Sequence, residues 1–148
     1  MTVHNSDITG VLFPPATSSQ AGVVLSNIAE ASLPDSLSQG DLVKLNKLPA
    51  GHRPLDFILE SESLDDGTAI TISVGVLNAA EDDLVASTSF LTDSTVAQAG
   101  GVARADVLAG LGLSESDEDR VIAAKITTAA GTAAAGALRG KLLYAENA

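Results

Sequence analysis

Two histidines, three acidic clusters and one glycine-lysine run are the groups through which this 148-residue chain could do chemistry. His4 lies near the N-terminus, and His52 follows Gly51 in a turn beside Arg53. Serine and aspartate are plentiful, but no Gly-x-Ser-x-Gly run supplies the strained turn that exposes a serine nucleophile. His52 therefore reads as a solvated turn residue and not as a catalytic base. The run Gly136-Ala137-Leu138-Arg139-Gly140-Lys141 departs from a phosphate loop twice. Three residues separate its glycines instead of four, and Leu142 follows the lysine where a magnesium-binding Ser or Thr would stand. Lys141 reads as a solvent-facing strand residue.

The acidic clusters are Glu60/Glu62/Asp65/Asp66, Glu81-Asp82-Asp83 and Glu115/Asp117/Glu118/Asp119. Calcium takes six to eight oxygens, yet none of these runs has the twelve-residue spacing of a calcium loop. Paired carboxylates could also serve glycoside cleavage. Sugar sites normally offer aromatic platforms, and Phe13, Phe57, Phe90 and Tyr144 are the only aromatics in a chain without tryptophan. There is no cysteine, hence no thiol nucleophile, no thiolate zinc site and no disulfide framework. No catalytic, cofactor or metal site is expected, and the chain reads as a non-enzyme.

Charge narrows the partners. Nineteen Asp and Glu against eight Lys and Arg give a net charge of −11. Phosphate-backbone binding requires clustered cations, so nucleic acid is not an expected partner. Neither a secretion signal nor a membrane span is expected, because no apolar run has the necessary length.

The elements that would position these groups are short strands. Residues 1–40 contain no Lys or Arg and carry Pro14-Pro15, Pro34 and two apolar patches, Val11-Leu12-Phe13 and Val23-Val24-Leu25. They read as an extended N-terminal arm with one or two short strands, followed by a β-sandwich domain over 41–148. Beyond Asp41 the apolar period is two, which places alternate side chains on opposite faces of a strand. Leu55, Phe57 and Leu59 share one face, as do Ile70, Ile72, Val74 and Val76. Leu42–Leu48 is a weaker strand, since Lys44 and Lys47 fall on opposite faces. Val85–Leu91 is expected to be a strand with Ala86, Thr88 and Phe90 aligned. Thr92 or Asp93 would cap one short helix over Ser94–Ala99, stopped by Gly100-Gly101. Val121–Thr127 aligns Ile122, Ala124 and Ile126. Leu138–Tyr144 aligns Leu138, Leu142 and Tyr144, with Gly140 leaving a gap and Arg139 and Lys141 on the other face. About seven strands and one helix point to an all-β, jelly-roll-like sandwich.

Several of these segments carry a family likeness. Leu48-Pro49-Ala50-Gly51, the Leu55–Leu59 strand, the turn Leu64-Asp65-Asp66-Gly67, Ile70–Asn78, Ser94–Gly101, Val121–Gly131 and Gly136–Tyr144 resemble the capsid cement (decoration) proteins of short-tailed bacteriophages, of the type on a Bordetella phage. The resemblance spans roughly Asp41 to Tyr144. It implies a jelly-roll or related sandwich, and a homodimer on the outer surface of an icosahedral head, bridging major capsid proteins. In that setting Val11, Leu12, Phe13, Val23, Val24 and Leu25 would be the capsid contacts, with coverage of the protein's own core as their alternative role. The competing expectation is another virion β-module, such as a tail-fibre, receptor-binding or carbohydrate-binding domain.

Overall fold

The computed structural model describes residues 1–7, 9, 17 and 23–146. Among them, nine strands form two facing sheets. In chain order they are β1 (Val3–Asn5), β2 (Val24–Leu33), β3 (Leu42–Leu48), β4 (His52–Ser61), β5 (Thr71–Val76), β6 (Leu91–Ser94), β7 (Gly101–Arg104), β8 (Arg120–Thr128) and β9 (Gly136–Glu146). One sheet runs β1-β3-β8-β5-β6 and the other β2-β9-β4-β7. From β2 onward the chain changes sheet at every step except β5 to β6. That alternation, with every pairing antiparallel except β1 on β3, is the double Greek key of a jelly roll. The expected all-β sandwich is therefore the fold.

Alternation builds the core where it is unbroken. Ile72, Val74, Ile122, Ala124, Ile126, Leu138, Leu142 and Tyr144 all point between the sheets and are buried there. Phe57 and Phe90 meet at the centre, with ring centroids 5.6 Å apart. In β2, Ala29, Ala31 and Leu33 face the same core. This strand lies within the 1–40 span read as an arm, yet it pairs with β9 along all ten residues, from Val24↔Ala145 to Leu33↔Gly136.

Two bulges reset the period. The register of β3 shifts between Lys44 and Asn46. The shift lets Val43, Leu45 and Leu48 all reach the core, with Lys44 and Lys47 half-buried; a regular strand would have put the lysines on opposite faces. The register of β4 shifts between Pro54 and Asp56, and it turns Leu55 outward, away from Phe57 and Leu59. Pro54 brings no N–H to that irregular stretch of ladder, which is where a strand tolerates proline.

The segment expected to form a strand over Val85–Leu91 does not. Ala86–Thr88 is a single 3₁₀ turn, and the strand begins at Leu91. The Thr88 hydroxyl accepts the Val76 N–H at 3.0 Å and donates to the Val85 carbonyl at 2.7 Å. A side chain thereby takes the place of a ladder bond. The expected helix is shorter than its reading, α1 (Val96–Ala99), because β6 extends through Ser94. Neither Thr92 nor Asp93 caps it; Thr95 holds the cap position without a side-chain bond. A second four-residue helix, α2 (Leu108–Leu111), follows β7.

Candidate functional site

The groups that could do chemistry are used to hold the fold. His52 is 3% exposed, not solvated. Its Nδ1 lies 2.9 Å from the Ala50 carbonyl, and its ring stands edge-on to Tyr144 at 5.5 Å. The bulged start of β4 turns the imidazole inward, which turn composition alone does not reveal. His4 lies far along the other sheet, in β1. Gly136–Lys141 is strand β9 and no loop. A Cβ on Gly140 would fall on the side-chain oxygen of Asn46, so that glycine is an empty seat for a buried amide. The Asn46 side chain fills the space, and its Nδ2 donates to the Asn27 side-chain oxygen at 2.6 Å and the Gly140 carbonyl at 3.0 Å.

Each acidic cluster is also tied down. Asp65 is buried and accepts five backbone N–H groups: Gly67 at 2.7 Å, Ala69 at 2.9 Å, Ile70 at 3.0 Å, Gly131 at 3.1 Å and Thr132 at 2.9 Å. These donors, Thr132 foremost, hold its carboxyl far below the usual carboxylate range against the opposing cost of burial. A carboxylate surrounded by N–H donors has no lone pairs left for a cation. In the second cluster, Glu81 pairs with Lys44 and Asp83 with Lys125, both at 2.7 Å. The Lys125 hydrogen bond lowers the Asp83 pKa. In the third, Asp119 accepts the Ala50 N–H at 2.8 Å, fixing the acidic loop to the turn before β4. Among the described residues no three His, Asp or Glu side chains converge as metal ligands. No helix there is long and apolar enough to cross a membrane.

The two outer faces of the sandwich differ sharply. Over the five-stranded sheet, Leu42, Leu77 and Ala123 are buried beneath Val3, Leu84 and Val121. The Glu81 and Asp83 ion pairs fasten the 78–85 loop there, so the chain covers that face itself. Among the described residues, the four-stranded sheet has no such cover. Its outward rows carry Val24 (56% exposed), Ile28 (55%) and Val102 (66%), with Ile58 and Leu143 half-exposed between them. Beside them Arg139 bridges Glu30 at 2.5 Å and Glu60 at 3.0 Å, and Lys141 reaches Glu60 at 2.5 Å. The Lys141 and Arg139 hydrogen bonds lower the Glu60 pKa.

This bare face is the candidate functional site, and the contacts expected from sequence meet it only in part. Val24 is on it, and Val23 is exposed immediately before it. Leu25 points the other way and packs against the core. Val11, Leu12 and Phe13 lie outside the described residues. Ile28, Ile58, Leu143 and Val102 were not singled out by the sequence reading. Their signal was an apolar residue on the phase opposite the core, which a strand list without register does not gather into one surface.

Comparison with known proteins gives likenesses among phage capsid structures. No family model matches the chain, and no curated protein does. Chains of solved structures do, two of them as follows. A chain in the structure titled capsid of Ralstonia phage GP4 is 26% identical, covers 99% of this chain and 99% of its own, and superposes with a TM-score of 0.89. A chain in the cyanophage Pam1 capsid asymmetric unit is also 26% identical, covers 90% of this chain and 99% of its own, and has a TM-score of 0.66. In fold, and over nearly its whole length, the chain is thus similar to structural proteins of phage capsids.

Proposed function

We propose that this protein is a cement (decoration) protein of a phage head: a homodimer on the outer capsid surface that stabilises contacts between major capsid proteins. The observation that carries the reading is the end-to-end likeness to a chain of the Ralstonia phage GP4 capsid. Three features support it. His52, Lys141 and the carboxylates of Asp65, Glu81, Asp83 and Asp119 are engaged in folding contacts. One sheet face is left uncovered by the described residues and is partly apolar. The net charge of −11 disfavours contact with packaged DNA.

The physics of the role is avidity. A protein that touches two shell subunits gains effective concentration for its second contact. It binds the assembled lattice better than the free subunit and so stabilises the lattice by mass action. Val11, Leu12, Phe13, Val23 and Val24 are the proposed shell contacts; Leu25 serves the core instead.

The test is to add the purified protein to heads of its phage that lack it, and to image them. Regular occupancy of the outer lattice in hundreds of copies is expected. Attachment to the tail, or no binding, would overturn the reading. Replacing Val11, Leu12 and Phe13 together with Ser should abolish binding while the melting curve is retained; undiminished binding would remove those residues from the contact.

A further inference from the structure

A strand at the edge of a sheet presents unpaired backbone groups, and proteins usually blunt it. Two edges of this sandwich are blunted. On β2, Asp7 takes both backbone groups of Glu30: its N–H donates to the Glu30 carbonyl at 3.2 Å, and its side chain accepts the Glu30 N–H at 3.0 Å. On β6, Asp93 has a left-handed φ of 48° and donates its N–H to the Ser73 hydroxyl at 3.0 Å. β7 has neither device. Its register against β4 is unbroken and it contains no proline.

The hydrogen bonds around β4 fix which groups of β7 face outward. The Ala105 N–H donates to the Phe57 carbonyl at 2.8 Å, and the Glu62 N–H to the Ala137 carbonyl at 3.0 Å. With Leu59 opposite Ala103 and Ser61 opposite Gly101, Gly101, Ala103 and Ala105 turn their backbone groups toward β4. The N–H and C=O of Val102 and Arg104 point the other way, past the edge of the sheet. Among the described residues no strand lies beyond β7, and no backbone group takes these bonds. A trough of about 460 Å³, lined by residues 94–96 and 98–103, adjoins the same edge.

We propose that β7 is a docking edge for an extended segment of a shell subunit, which adds to the four-stranded sheet as a further strand. The inference rests on the proposed function and deepens it by naming where and how a shell subunit is held. Main-chain bonds to Val102 and Arg104 would supply affinity, and the side chains on the outward row would supply selectivity. Val102 is 66% exposed, so the residue opposite it is apolar. The Arg104 side chain is 74% exposed, and its Nε lies 2.9 Å from the Asp56 carboxylate. Among the described residues no carboxylate takes its two Nη groups. The residue opposite Arg104 is therefore Asp or Glu. Val102 and Arg104 are two apart and share a face, so the segment reads acidic-x-apolar if it runs antiparallel to β7, and apolar-x-acidic if parallel. β7 and β2 are the opposite edges of one sheet, about 14 Å apart at about 4.8 Å per strand. Contacts at β7 and at Val23 and Val24 would let one molecule touch two subunits, as avidity requires.

Residue-resolved hydrogen exchange of the full-length protein, free and bound to heads of its phage that lack it, tests the assignment. In the free protein the Val102 and Arg104 amides should exchange about tenfold or more faster than those of Ala103 and Ala105. On heads they should slow by about tenfold or more. Val102→Pro removes one outward N–H and spares the β4 ladder, a position where an edge strand tolerates proline. It should weaken head binding by about tenfold or more with the thermal midpoint retained. Should Val102→Pro lower the midpoint, Arg104→Glu decides, since it reverses an exposed charge and should weaken binding as much. Slow exchange of both amides in the free protein would place the chain's own segment on β7 and overturn the inference. Unchanged exchange on heads, or undiminished binding by a folded Val102→Pro or by Arg104→Glu, would overturn it too. A wild type that binds heads with these amides unprotected refutes the docking edge alone. A wild type that ignores heads refutes the proposed function, and the docking edge falls with it.

Discussion

Gly140→Ala is the substitution that most directly tests how the two sheets interlock. β9 is held by β2 on one side and β4 on the other, so its backbone cannot retreat. A Cβ at position 140 would land on the Asn46 side-chain oxygen and 3.1 Å from Phe57 Cζ. Asn46 must then swing away. The acceptors it serves, the Asn27 side chain and the Gly140 carbonyl, would lose their donor inside the core. Overpacking costs about 1–3 kcal/mol, and burying an acceptor without its donor costs about 1–3 kcal/mol. Against this, replacing a strand glycine by alanine recovers about 0.5–1 kcal/mol of backbone entropy. The net loss is about 1–5 kcal/mol, or about 2–20 °C in thermal midpoint for a chain of this length. Urea titration followed by far-UV circular dichroism measures it. Asn46→Ala alone should cost about 1–3 kcal/mol through the same orphaned acceptors. The double variant Asn46→Ala/Gly140→Ala is the discriminating measurement. Its methyl at 140 enters the space the amide vacated, so the pair should be at least about 1 kcal/mol more stable than the sum of the single losses. Additivity within about 0.5 kcal/mol would refute the idea that Gly140 exists to seat Asn46.

Asp65→Asn should lower the thermal midpoint by on the order of 10 °C, because one amide oxygen cannot replace a carboxylate that receives five N–H donors. The folded-state pKa of Asp65 lies below its unfolded value, so its stabilisation is full above the unfolded carboxyl pKa of about 3.9 and is lost as pH falls below it. Melts between pH 6 and pH 2 should show the wild type losing stability toward acid more steeply than Asp65→Asn; parallel curves would remove Asp65 from that dependence. On the α2 turn, Leu108→Ser should change stability by less than about 0.5 kcal/mol. Gly110→Ala on the same turn should cost about 1–3 kcal/mol, since its Cβ would lie 2.7 Å from Phe90 Cγ and from the Ser89 carbonyl oxygen. Equal effects in chemical melts would show that the turn is not fixed by that approach.

The parts of the fold visible in the sequence are those where period two runs without interruption. In β8 and β9 the buried residues Ile122, Ala124, Ile126, Leu138 and Leu142 alternate without a fault, and in β5 Ile72 and Val74 keep that alternation although the strand's register shifts against β8 and β6. The misreadings fall where one residue changes the phase. Two bulges displace Leu55 and bring the β3 lysines to comparable exposure, and neither bulge has a glycine to announce it. Thr88 ends a strand through its hydroxyl, a bond that depends on Val76 twelve residues earlier. Asp65 sits in a recognisable Asp-Gly turn, but two of its five donors come from Gly131 and Thr132. The bare face was the least legible feature. Arg53, Arg104, Arg139 and Lys141 are scattered over ninety residues of sequence and become neighbours only through register.

The asymmetry between the two sheets ties the acidity of the chain to its shape. On the five-stranded side, acids fasten a covering loop: Glu81 and Asp83 hold residues 78–85 over Leu42, Leu77 and Ala123 through Lys44 and Lys125. On the four-stranded side, acids are matched by arginines and, among the described residues, no loop crosses the sheet. A small sandwich that needed only to be soluble would gain by covering or charging both faces, since exposed aliphatic rows invite association. Among the described residues, the covering loop and its acids serve one side. The uncovered side keeps Val24, Ile28 and Val102 exposed within a balanced ionic lattice. That distribution gives the two outer faces different surfaces: one closed by the 78–85 loop, the other a mixed apolar and ionic surface among the described residues.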